Sequence, residues 1–157
     1  ACIGFCWGGG IVNDLAAKDS QLTLGVPYYG RQIDVALVPN IKAKLMLHYA
    51  GLDERINAGI PAYESALKNN QIDYQLFIYE GAQHAFNNDS SPARYQEATA
   101  KLAWERTMNF FKKYLKSLGF ARLFLFTFVP VVYHDTKIPI ACPNYVFSTL
   151  LVKSTPS

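Results

Sequence analysis

The stretch Gly4-Phe5-Cys6-Trp7-Gly8-Gly9 decides the fold. Ahead of it, Ala1-Cys2-Ile3-Gly4-Phe5 has the length and apolar character of a buried strand, and behind it Gly8, Gly9 and Gly10 lead into a helix through about Ala17. The pattern G-x-C-x-G-G is the cysteine counterpart of G-x-S-x-G, in which a nucleophile sits on a sharp strand-to-helix turn. Such a turn strains the nucleophile's backbone and asks for residues without side chains two positions away, so that neighbouring chains can approach. Gly4 and Gly8 stand at those positions. The turn also puts the Cys6 sulfur at a helix N-terminus, where unpaired N–H groups and the helix dipole favour a thiolate. The sequence therefore predicts a thiolate formed well below pH 8, with the Trp7 backbone N–H as one donor of an oxyanion hole.

Outward from this turn, strands and helices alternate. Thr23 to Tyr28 and Lys44 to Tyr49 are apolar runs of strand length, and Asp73 to Tyr79 alternates as a fourth strand. A helix is expected over roughly Ala58 to Leu67. Ser91 followed by Pro92 predicts the start of another, running to about Lys116. Its inner face would carry Ala103, Thr107, Phe110, Phe111 and Tyr114, with Lys101, Glu105 and Lys112 outside. This order predicts an α/β fold with a mostly parallel sheet covered by helices on both faces.

Beyond Leu118 the amphipathic pattern stops. Leu123 to Tyr133 is an uncharged aromatic and β-branched run, about half of the roughly 20 residues that span a bilayer. Residues 118–157 are read as an atypical apolar tail that is not native to the domain; residues 1–117 form a partial domain. The chain opens in a buried strand instead of a signal sequence, which predicts an N-terminally truncated, cytoplasmic protein.

Size and composition fit one globular domain: 157 residues, half of them apolar. The net charge of +3 comes with no Lys/Arg run longer than Lys112-Lys113, so neither nucleic acid nor a membrane surface is expected as a partner. Cys2, Cys6 and Cys142 form no CxxC pair, and His48, His84 and His134 each lack metal-ligand spacing. No metal or other cofactor is expected.

Two later residues complete a constellation. A hydrolase of the α/β type presents nucleophile, acid and histidine in that chain order, each past the C-terminal end of a strand. Asp53 follows Lys44 to Tyr49 through Ala50-Gly51-Leu52, and His84 follows Asp73 to Tyr79 through Glu80-Gly81-Ala82-Gln83. Taken singly, Asp53 reads equally well as a helix N-terminal acid, His84 as a loop residue and Cys6 as a buried structural thiol. Taken together, order and location favour a triad of Cys6, Asp53 and His84.

GFCWGGG, the stretch Tyr28 to Arg31, GLDERI from Gly51 and GAQHAF from Gly81 closely resemble dienelactone hydrolases over roughly residues 1–117. The resemblance implies an α/β-hydrolase fold and a Cys-Asp-His triad that opens an enol-lactone ring. It assigns Cys6, Asp53 and His84 to those roles and the Trp7 N–H to the oxyanion. In the family, upstream sequence supplies the first strands, a second oxyanion donor, a glutamate beside the cysteine and a carboxylate-binding arginine. Where ring-opening members carry another such arginine, four positions past the histidine, this chain has Asn88. Arg31 and Arg94 are read as solvated surface residues. The expected function is cleavage of a small-molecule ester or lactone; the alternative is an inactive truncated remnant with an incomplete oxyanion hole.

Overall fold

The computed structural model describes residues 1–117; the reading of residues 118–157 as an apolar tail lies outside them. Four parallel strands, β1 (Cys2–Phe5), β2 (Leu24–Tyr28), β3 (Lys44–Ala50) and β4 (Tyr74–Tyr79), form one sheet in the order β1-β2-β3-β4. Between them run α1 (Trp7–Lys18), a 3-10 turn (Val35–Asn40), α2 (Glu54–Asn57) and α3 (Ile60–Asn69), and α4 (Glu97–Ser117) follows β4.

Strand periodicity divides the core into two layers. On one face Leu45, Leu47 and Tyr49 of β3 meet Ala16 and Ala17 of α1 and Ile60, Tyr63 and Leu67 of α3. On the other, Met46 and Ala50 join Leu24, Val26 and Tyr28 of β2 against Ala103, Phe110 and Phe111 of α4. The sheet is thus covered on both faces, as the alternation of elements implies. Fully buried Asn13 ties the first layer together: its amide donates to the Arg31 carbonyl at 2.8 Å and its oxygen accepts from the Tyr63 hydroxyl at 3.3 Å.

One boundary differs. The Ser91-Pro92 start does not open α4; it closes a turn in which the Arg94 and Tyr95 N–H groups both donate to the Ser91 carbonyl, at 2.9 Å each. The ladder then breaks because the Gln96 N–H donates to the Phe86 carbonyl at 3.1 Å, drawing the chain back to the loop after β4. The helix begins at Glu97. Its inner face is as expected, with Ala103, Thr107, Phe110 and Phe111 buried and Tyr114 half-buried, while Lys101, Glu105 and Lys112 are exposed. Among the described residues no helix is long and apolar enough to cross a membrane.

Candidate active site

Cys6, Asp53 and His84 converge at the C-terminal edge of the sheet, each in the loop just past a strand. Cys6 is the residue between β1 and α1, with φ 54° and ψ −118°. A side chain at positive φ is strained, and here the surroundings hold it: the Cys6 N–H donates to the Tyr28 carbonyl at 3.1 Å and its carbonyl accepts from Gly10 at 3.2 Å. A Cβ on Gly4 would lie 2.2 Å from the Gly8 oxygen, so only glycine fits there. Gly8 is different from the expectation. A Cβ on it, in the first turn of α1, would meet nothing within 4 Å. The second close approach belongs instead to Gly9 and Gly30, whose backbones pack so tightly that a Cβ on Gly30 would sit 2.3 Å from the Gly9 carbonyl carbon.

Asp53 closes the loop after β3. Its N–H donates to the Ala50 carbonyl at 3.1 Å, and the Asn57 side-chain amide holds the carbonyls of Ala50 and Gly51 at 2.8 and 3.2 Å. One carboxylate oxygen caps α2 by accepting from the Ile56 N–H at 3.4 Å; the other accepts from His84 Nδ1. The helix-capping and histidine-orienting readings of Asp53 are therefore compatible, since a carboxylate has an oxygen for each.

His84 lies in the loop after β4, which is bonded to the Asp53 loop through Gly51 N–H to Tyr79 O at 2.8 Å and Leu52 N–H to Ala82 O at 2.9 Å. Gly81 and Ala85, on either side of the histidine, have φ of 69° and 67°. Its ring bridges the other two residues: Nδ1 faces Asp53 and Nε2 lies 3.2 Å from Cys6 Sγ. With the carboxylate accepting at Nδ1, the proton sits there and Nε2 is left as an acceptor for the thiol.

Electrostatics correct one expectation. Burial pushes the Cys6 thiol above its ordinary value of 9.0, and the Asp53 charge adds to that, while Arg94, Arg55 and a hydrogen bond from the Trp7 N–H act the other way. Desolvation of the half-buried sulfur is the largest of these influences and sets the upward direction, against the easy thiolate formation expected at this turn. Arg94 and Arg55 are exposed, in keeping with solvated arginines, yet both bear on the sulfur. Arg31 turns away and pairs with Asp14. Trp7 is 61% exposed, and its N–H points toward the sulfur. Among the described residues no group of three or more His, Cys, Asp or Glu side chains is arranged to hold a metal ion.

Sequence reasoning gave no role to Tyr29, whose ring centroid lies 5.0 Å from that of His84. The stretch Tyr28 to Arg31 signals it only as part of a motif, because the contact spans distant parts of the chain.

Residues 1–115 match the model of the dienelactone hydrolase family. The chain is 37% identical over 115 residues to a "Putative carboxymethylenebutenolidase" of Saccharolobus solfataricus, covering 73% of this chain and 44% of that protein. It superimposes on a crystal structure of a "Putative Dienelactone Hydrolase" from Klebsiella pneumoniae with TM-score 0.67 and 30% identity, covering 71% of this chain and 51% of the other. The acylaminoacyl peptidase of Pyrococcus horikoshii, 16% identical with TM-score 0.61 over 73% of this chain and 24% of its own, shares the fold alone. The chain spans about half the length of the relatives it matches. With its parallel sheet and these likenesses, the chain has the α/β-hydrolase fold and belongs to the dienelactone hydrolase family.

Proposed function

We propose that this chain carries the catalytic residues of a hydrolase that cleaves a small-molecule ester or lactone, with Cys6 as nucleophile, His84 as acid and base, and Asp53 as the group that orients His84. The observation that carries the reading is the continuous line from Asp53 through the His84 ring to Cys6 Sγ, with Nε2 at 3.2 Å from the sulfur.

As the sulfur attacks the substrate carbonyl, its proton passes to His84 Nε2, and Asp53 stabilises the imidazolium that forms. The carbonyl oxygen becomes an oxyanion, and the Trp7 N–H, a donor beside the sulfur, receives it. Collapse expels the alkoxide or enolate, which takes the proton from Nε2. Water then gives a proton to Nε2 and attacks the acyl-thioester, and the acid is released as the proton returns to the sulfur. These steps call for no metal or other cofactor, and for no nucleic-acid or membrane partner. A cytoplasmic location suits such a thiol.

Asn88, four positions past the histidine, leaves the enol-lactone itself without the arginine that the resemblance would require there. The substrate is therefore proposed only as an ester or lactone. A second reading, an inactive remnant, draws on two features of the described residues: the outer edge of β1 pairs with no strand, and Trp7 is the backbone donor beside the sulfur, with no second one among them.

Hydrolysis of p-nitrophenyl acetate distinguishes the two. The active reading expects turnover that Cys6→Ala abolishes and Cys6→Ser sharply alters. Turnover indifferent to both substitutions would sink the assignment of Cys6, and no turnover in the parent chain would favour the remnant.

A further inference from the structure

Tyr29 occupies a backbone conformation that an aromatic residue seldom adopts. It follows the last residue of β2 with φ 39°. Successive side chains of a strand point to opposite faces, and Leu24, Val26 and Tyr28 all enter the layer beneath α4. Tyr29 should point the other way. The left-handed turn cancels the alternation, and its ring joins the same layer, 2% exposed, with its centroid 6.0 Å from that of Tyr28. The backbone is held there by its N–H, which donates to the His48 carbonyl at 2.7 Å.

The conformation is strained for a non-glycine residue, and its position relative to the site gives it a consequence. Four non-glycine residues have positive φ among those described: Cys6, Tyr29, Gln71 and Ala85. Gln71 closes the C-terminus of α3, where such a conformation is ordinary. The other three are the nucleophile position, the residue after the histidine, and Tyr29 between them.

Its ring stands against the loops that carry Cys6 and His84. It lies 5.0 Å from the His84 ring, 5.3 Å from Phe86 two residues further on, and 6.2 Å from Phe5, which precedes the cysteine. The Asn87 backbone N–H also bonds to the Tyr29 hydroxyl, attaching it to the far side of the histidine loop. His84 remains 28% exposed on its side chain, so one flank of the imidazole faces solvent while the other has this ring.

We infer that Tyr29 is a positioning residue: its left-handed backbone places the phenol ring as a fixed wall against His84, holding the imidazole at the angle that joins Asp53 to Cys6. The role rests on the proposed reading of His84 as the partner of Cys6. It belongs to the ring rather than to the hydroxyl, because the contact with the imidazole is ring to ring. Removing the wall frees the imidazole to rotate away from Sγ.

The test is a double-mutant cycle on the full chain, read by the rate at which iodoacetamide alkylates Cys6 across pH 6–10, beside p-nitrophenyl acetate hydrolysis. In the parent, His84→Gln is expected to alter the alkylation profile. In a Tyr29→Leu background, which keeps an apolar side chain but removes the aromatic wall, the same substitution should have little further effect, and hydrolysis should fall about 10- to 100-fold. Tyr29→Phe restores the ring and should bring hydrolysis back to within about threefold of the parent. Thermal unfolding of each variant identifies any loss of folding, and Tyr29→Met serves as a second variant without the ring should the leucine form not fold. Additive effects of Tyr29→Leu and His84→Gln, or a Tyr29→Phe variant as impaired as Tyr29→Leu, would overturn the inference. If the parent hydrolyses nothing yet the alkylation cycle shows the coupling, the positioning role stands and the hydrolase reading fails.

Discussion

At the scale of single residues, the Cys6 sulfur is the point where opposing effects meet. Burial and Asp53 hold its proton on, while Arg94, Arg55 and the Trp7 N–H favour its loss. Arg94 is the strongest of the three favouring loss and is exposed, so its action crosses solvent and is screened by salt. Arg94→Gln is expected to raise the Cys6 pKa further and slow its alkylation at pH 8 by about two- to fivefold at low ionic strength. The difference should shrink in about 0.5 M salt. Iodoacetamide rates for parent and variant at both ionic strengths check this, and equal rates at low salt would contradict it. Cys6, Asp53 and His84 were legible in the sequence because each carries a local signature: a glycine-flanked turn or a loop just past an apolar run. The sign of the Cys6 shift was not, since a helix N-terminus can be read from spacing whereas the burial that raises the thiol comes from the core layer against which Cys6 packs.

Among the elements, the turn between β1 and α1 shows how closely chain pattern and packing agree. Gly4 is required by the 2.2 Å approach to Gly8, but Gly8 itself is not, and the demand for a bare backbone is transferred to Gly9 and Gly30. Alanine substitution separates these cases. Gly30→Ala would drive a Cβ into the backbone of Gly9 and Gly10, which has no flexible side chain to yield, and should destabilise by about 2–4 kcal/mol. Gly8→Ala places its Cβ in open space on a helical residue and should be neutral or stabilising by up to about 0.5–1 kcal/mol. Urea unfolding of the two variants measures the contrast; a Gly8→Ala variant as unstable as Gly30→Ala would refute it. All four strands and the α1 turn were readable from apolar runs and glycine spacing. The start of α4 was not: Ser91-Pro92 is a sound local signal, overridden by the Gln96 N–H reaching back to Phe86 and the Gln96 amide donating to the Gly81 carbonyl at 3.0 Å.

Across the whole molecule, the layer beneath α4 contains a polar chain that no stretch of sequence announces. His48 is fully buried in β3, and its partners Tyr79 and Thr107 lie on other elements, 31 and 59 residues away. The hydrogen-bond inventory fixes its form. The single proton of the Thr107 hydroxyl goes to the Ala103 carbonyl at 3.0 Å, so that oxygen accepts from Tyr28 O–H at 2.7 Å and from His48 Nε2–H at 3.1 Å. His48 Nδ1 is then bare and accepts from the Tyr79 hydroxyl at 2.8 Å. A second proton on the ring would meet that donor, the Arg106 charge behind Tyr79, the tilted ring of Tyr28 and the stacked ring of Phe77, with no carboxylate in this set of neighbours. Burial, then Arg106, lowers the His48 pKa to about 3 from the ordinary 6.5. The unfolded chain therefore takes up this proton first as pH falls. The stability that neutral His48 contributes is complete above about pH 6.5 and is lost toward pH 3, at about 1.4 kcal/mol per pH unit. Between pH 7 and pH 5 the parent should lose about 2 kcal/mol more than a His48→Gln variant, whatever the variant's own stability at neutral pH. Urea unfolding of both proteins at the two pH values isolates this residue from every group the two proteins share; parallel pH dependences would mean that His48 is protonated in the fold and that the proton inventory of the buried chain is different.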